Sequence, residues 1–167
     1  MSLYEQIKSD SNNKPTYVFF DMDGVLVDYQ IDYKGERFIE GNKYYLNKSP
    51  LNSAIKYAKM LSQIKNVNVG ILSNCIYDSQ ISDKKEWLKK YLPFLKDENI
   101  NILSYQTFNV ETSQERQNLK TKYINNKYKD RDVNLYLIDD DHGILRSFIK
   151  DENNRVKVFH VSSIYVE

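Results

Sequence analysis

Along the chain, short apolar runs alternate with longer segments of helical period. The first run, Tyr17 to Phe20, is continuous, as expected of a strand buried on both faces. SPLNSAIKYAKMLSQIK follows, with Leu51, Ala54, Ile55, Ala58, Leu61 and Ile64 on one helical face; Ser49 can cap this helix and Pro50 fits its first position. Val67 to Leu72 predicts a second strand that stops at Ser73 and Asn74, and DKKEWLKKYLP predicts a helix closed by Pro93. Ile100 to Leu103 is a weaker strand. TSQERQNLKTKYINNKY is a further helix, which either Thr112, with Glu115 completing a capping box, or Asn118 can start. Asn134 to Ile138 reads as a strand running into Asp139, Asp140 and Asp141; a short helix, ILRSFI, and a last strand, VKVFHV, complete the pattern. No internal repeat or low-complexity linker interrupts it.

Strands alternating with helices of this length imply a parallel sheet covered on both faces, because a crossover between parallel neighbours needs a helix. The expected fold is α/β, a Rossmann-like three-layer sandwich with a mainly parallel central sheet. At 167 residues with 41% hydrophobic content the chain fits one domain spanning 1–167, with a flexible N-terminal segment at 1–14 and a short insertion at 29–49.

Composition narrows the function. The 24 basic and 23 acidic side chains nearly cancel, so no strong nucleic-acid footprint is present. Cys75 is the single cysteine, which excludes an intrachain disulfide and suits a reducing compartment. The N-terminal residues lack the apolar core of a signal peptide, and no run approaches the ~20 apolar residues of a spanning helix. The expectation is a cytoplasmic protein without a membrane partner.

In parallel sheets ligands bind beyond the carboxyl ends of the strands. Three strands end there on polar groups: Asp21 and Asp23 after the first, Ser73 and Asn74 after the second, and Asp139 to Asp141 after the fourth. Carboxylates gathered this closely repel one another unless a cation joins them, and hard oxygen donors favour Mg²⁺. Mg²⁺ commonly binds through one or two carboxylates plus substrate phosphate, and the Ser73 hydroxyl with a nearby lysine would complete a phosphate-shaped hole. The substrate is therefore expected to carry a phosphoryl group.

These residues resemble the motifs of the haloacid dehalogenase-like phosphohydrolases: DMDGVLVD the first, ILSN the second and LYLIDDD the acidic fourth. The resemblance implies that Asp21 is a nucleophile forming an aspartyl-phosphate and that Asp23 is general acid and then base. It gives Ser73 and Asn74 the transferring phosphoryl oxygens, and Asp21, Asp23 and Asp140 the metal. Asp139 would brace the third-motif lysine, for which LKTKYINNKY offers Lys120, Lys122 and Lys127, with Lys120 preferred. Three consecutive acids admit more than one register. DKKEWLKKYLP is similar to the 5'(3')-deoxyribonucleotidase branch, where a lysine at the position of Lys84 touches substrate phosphate. A lysine in this role suits a helix starting near Asn118 rather than one starting at Thr112, which would bury Lys120 mid-helix.

The implied activity is Mg²⁺-dependent phosphomonoester hydrolysis of a small phosphorylated substrate, a nucleotide by preference. Alternatives are phosphate removal from nucleic-acid ends, another small ester, or a non-catalytic binding domain on the same fold. About twenty residues separate the first motif from the next helix, too few for a large helical cap, so little or no cap is expected. Other features have plainer readings. DxDG lacks the further ligand and preceding helix of a calcium loop. His142 reads as a structural, hydrogen-bonded group, Cys75 as a packing residue, Lys89 and Lys90 as a solvated face, and the scattered tyrosines as ordinary packing rather than a base-stacking platform.

Overall fold

The computed structural model describes residues 1–29 and 44–166. The expected short insertion with little or no cap falls largely on residues 30–43, outside the described residues. Five strands, β1 (Thr16–Phe20), β2 (Val67–Cys75), β3 (Ile100–Ser104), β4 (Asn134–Asp139) and β5 (Val156–His160), form one all-parallel sheet in the order β3-β2-β1-β4-β5. Helices α1 (Leu3–Ser11), α2 (Asn52–Ser62), α3 (Ser79–Tyr91), α4 (Ser113–Lys127) and α5 (His142–Lys150) cover it.

Alternation along the central strand divides the core in two. Val18 and Phe20 face a cluster with Leu3 and Ile7 of α1, Ala54, Ala58 and Leu61 of α2, and Trp87 and Leu88 of α3. Phe19 faces the other, with Leu119 and Ile124 of α4 and Ile144 and Phe148 of α5. The expected three-layer α/β sandwich is thus observed, with three helices on one face and two on the other.

Local signals and tertiary pairing part company at several places. Residues 1–14 are not a flexible segment: the Ser2 side chain caps α1, Leu3 and Ile7 are buried, and Asp10 pairs with Lys157 at 2.6 Å. Ser49 does not cap α2 and Pro50 does not begin it. The Ser49 carbonyl accepts from the Asp28 N–H at 2.9 Å, Leu51 N–H donates to the Leu26 carbonyl at 2.8 Å, and Pro50 bridges Val27. Pairing with the loop after β1 therefore keeps 49–51 extended and delays α2 to Asn52. β2 runs past Ser73 and Asn74 because β3 supplies partners for them, Ile102 and Leu103. α4 starts at Thr112 with the capping box in place, both halves closed with Glu115. Among the described residues no helix is long and apolar enough to cross a membrane.

Candidate active site

β1 and β4 lie side by side, with Phe20 opposite Ile138, and the Asp21 N–H continues their ladder to the Ile138 carbonyl at 3.0 Å. This register sets Asp21 against the end of β4, where Asp139 and Asp140 emerge. One oxygen of each of the three carboxylates lies within 4.8 Å of the others. Asp140 also occupies the space above Gly24, whose φ of +78° is the left-handed conformation glycine adopts without strain; a methyl group there would overlap the Asp140 carboxylate. The glycine after the paired acids thus lets the β1 loop approach the β4 acids.

Lys120 enters this cluster from the middle of α4, fully buried, with Nζ 2.7 Å from Asp139 Oδ2 and 3.0 Å from Asp21 Oδ1. The helix start near Asn118 expected for this role is absent; α4, capped by Thr112, starts at Ser113 and the Lys120 side chain reaches the sheet edge from mid-helix. Burial disfavours the Lys120 ammonium, but Asp21 and Asp139 outweigh it and hold its pKa above the usual lysine range. Burial instead lifts Asp139, to about 6, against the pull of Lys120. Asp140 is raised by burial and then by Asp21. Lys122 is exposed, and Lys127 turns to Asn101 Oδ1, so of the three candidate lysines Lys120 is the one within the cluster.

Asp23 occupies a separate corner. Its carboxylate accepts from Lys84 Nζ at 2.8 Å and from Lys48 Nζ at 2.9 Å. Burial pushes Asp23 up, but the two ammonium groups prevail and bring it down to about 2. Lys84, buried in α3, also donates to the Ser73 hydroxyl at 3.0 Å and to the Asn74 carbonyl at 2.8 Å, tying the end of β2 to the Asp23 loop. Both lysines lie over the Tyr45 ring, at 4.9 and 5.0 Å, and the Trp87 indole N–H holds the Lys48 carbonyl at 3.0 Å. Lys48 and Tyr45 were not among the expected residues; they lie in the last part of the 29–49 insertion and carry no local motif.

The carboxylates that converge are therefore Asp21, Asp139 and Asp140, while the Asp23 carboxylate faces lysines. Asp141 does not join them: its Oδ1 caps α5, accepting from Gly143 N–H at 2.6 Å and Ile144 N–H at 3.1 Å. Asp21 Oδ1 is buried and accepts no hydrogen bond of good geometry among the described residues. An all-carboxylate donor set with such an oxygen suits a hard divalent cation, so the cluster could hold a metal ion. His142 stacks on His160 with ring centroids 5.0 Å apart, and Cys75 is buried, its thiol pushed up to about 11 by burial.

No family model and no curated protein matches the chain. It is similar to solved structures. A chain of the Pnkp1/Rnl/Hen1 RNA repair complex superposes with a TM-score of 0.62 at 16% identity, over 88% of this chain and 43% of that one. A chain of a second Pnkp1/Rnl/Hen1 complex structure gives 0.59 at 16% identity, over 89% and 47%. This chain spans less than half the length of these two chains, and the likeness is one of fold.

Proposed function

We propose that the chain is a Mg²⁺-dependent phosphomonoester hydrolase of the haloacid dehalogenase-like kind, acting on a nucleotide phosphate. The observation that carries the reading is Lys120 Nζ between Asp21 and Asp139, with Asp140 alongside, at the carboxyl edge of a parallel sheet. Asp21 and Asp140 would hold Mg²⁺, with Asp23, also expected as a ligand, turning its carboxylate to lysines instead; the ion would offset the negative charge of the phosphoryl group.

An Asp21 oxygen attacks phosphorus, the bond from phosphorus to the leaving oxygen breaks, and Asp23 delivers a proton to that oxygen. Asp23 then takes a proton from the water that attacks the aspartyl-phosphate, which releases phosphate and regenerates Asp21. Lys120 and Ser73 hold the phosphoryl oxygens in both steps, and Asp139 fixes Lys120. Paired as it is, Asp23 is ionised at neutral pH. Its role as acid requires that the entering phosphate, an alternative acceptor for the same N–H groups, draw Lys84 and Lys48 away.

A nucleotidase and a phosphatase of nucleic-acid ends share this chemistry, and the likeness to chains of an RNA repair complex favours the second substrate. Assay of mononucleotides, phosphorylated oligonucleotides and sugar phosphates, with and without Mg²⁺, tests the reading. Turnover that requires Mg²⁺ and disappears in Asp21→Asn supports it; full activity in EDTA overturns it.

A further inference from the structure

Tyr105, directly after β3, faces two ways. Its hydroxyl lies 3.4 Å from Asn74 Nδ2, in the depression that also holds Asp21, Lys120 and Asp140. Its ring carries the Arg116 guanidinium, 5.0 Å from the centroid. Arg116 is exposed, and among the described residues its guanidinium makes no hydrogen bond or ion pair. A cation stacked on an aromatic ring is held in place with its N–H edge open to an anionic ligand.

The space beyond the phosphoryl site leads to this pair. A cleft of about 400 Å³ runs from Asp23 and Asn74 past Lys84 to Ile76, and another of about 360 Å³ runs from Ile76 and Tyr105 to Arg116. Together they exceed what one phosphate needs. Arg116 also precedes Lys120 by four residues, so the two side chains leave α4 on the same face, Lys120 inward to the acidic cluster and Arg116 outward over Tyr105.

Resting on the phosphatase reading above, we propose that Arg116 and Tyr105 form a subsite for a second nucleotide, so that the substrate is the phosphorylated end of a single-stranded polynucleotide. The terminal phosphate sits against Asp21 and Lys120, and the first nucleoside fills the cleft between Lys84 and Ile76. Arg116, steadied by the Tyr105 ring, donates to the next backbone phosphate. A free mononucleotide leaves Arg116 without a ligand.

The test compares kcat/KM for a mononucleotide and for a dinucleotide and trinucleotide bearing the same terminal phosphate. The dinucleotide is expected to exceed the mononucleotide by about tenfold, the size of one charge-assisted contact. The trinucleotide adds little. Arg116→Ala is expected to bring the ratio close to one and Arg116→Lys to restore part of it; being a ratio, it is insensitive to the amount of folded enzyme. A wild-type ratio near one, or a preference that survives Arg116→Ala, overturns the subsite. If no ester is hydrolysed, p-nitrophenyl phosphate included, the phosphatase reading fails instead. Fluorescence anisotropy of a labelled, end-phosphorylated trinucleotide then decides the subsite: binding weakened about tenfold by Arg116→Ala upholds it, and equal binding removes it.

Discussion

Lys120 and Asp139 form an ion pair closed to solvent, with Nζ 2.7 Å from Oδ2 and the two side chains 1% and 0% exposed. Removing one partner strands the other charge. Lys120→Met is expected to cost about 3–5 kcal/mol of stability, read from urea unfolding. Adding Asp139→Asn should return part of that loss while phosphatase activity stays absent. A cost below about 1 kcal/mol for Lys120→Met would show that the pair does not hold the site.

Asp140 and Asp141 are neighbours with different employment. Asp140→Asn should raise the Mg²⁺ concentration needed for half-maximal activity by about tenfold or more. Asp141→Ala should leave that concentration near wild type and cost about 1 kcal/mol through loss of the α5 cap. Activity titrated with Mg²⁺, beside unfolding curves for both variants, separates the effects. A larger Mg²⁺ effect from Asp141→Ala would move the metal ligand one residue along.

The proposed duty of Asp23 depends on the leaving group. A sugar alkoxide departs poorly without a proton, whereas nitrophenolate is stable as an anion, so Asp23→Asn should slow the single-turnover burst strongly with a nucleotide and far less with p-nitrophenyl phosphate. The difference should lie within the ~10²–10⁴-fold that general acid catalysis supplies. Equal slowing on both substrates would assign Asp23 to holding Lys84 and Lys48 instead.

A metal ion bound as proposed would compete with protons for the acidic cluster. The folded pKa of Asp139 near 6 lies above its ordinary value of 3.8, so its proton is held more tightly in the folded state. The stabilisation from that protonation is complete below about 4 and is lost as pH rises through about 6. Without metal, the melting temperature should therefore fall across this window. Because binding requires the ionised carboxylates, the rise in melting temperature on adding Mg²⁺ should be larger at pH 7.5 than at pH 5. Thermal unfolding at the two pH values measures it, and equal shifts would show that cation binding does not depend on ionisation of the acidic cluster.

Much of this arrangement was legible along the chain. Apolar runs locate β1, β2 and β4 because strands covered on both faces have little polar side to mask them, whereas the edge strands β3 and β5 carry polar positions and read more weakly. Asp21, Asp139 and Asp140 could be placed together because parallel strands deliver their carboxyl ends to one edge. What local patterns missed depends on partners distant in sequence. Lys48 meets Asp23 across 25 residues, and its carbonyl is fixed by Trp87. Ser49 and Pro50 carry good helix-start chemistry, yet the Asp28 N–H bonds the Ser49 carbonyl and Leu51 N–H bonds the Leu26 carbonyl, which holds the segment extended. The helix of 1–14 has a weak apolar stripe, Leu3 and Ile7, that acquires meaning only against the sheet. The tyrosines look scattered in sequence, while the fold sets Tyr29, Tyr45 and Tyr105 around one cleft.

The strand order has a consequence for how the protein is made. β1 is the middle strand, but Asn134, which opens its β4 neighbour, follows Thr16 by 118 residues. At a synthesis rate of roughly 5–20 residues/s, one edge of β1 waits roughly 6–24 s after it is translated before β4 exists to cover it. Through that interval a buried, largely apolar strand offers unpaired backbone to other nascent chains. The yield of folded protein should therefore depend on translation speed and chaperone supply.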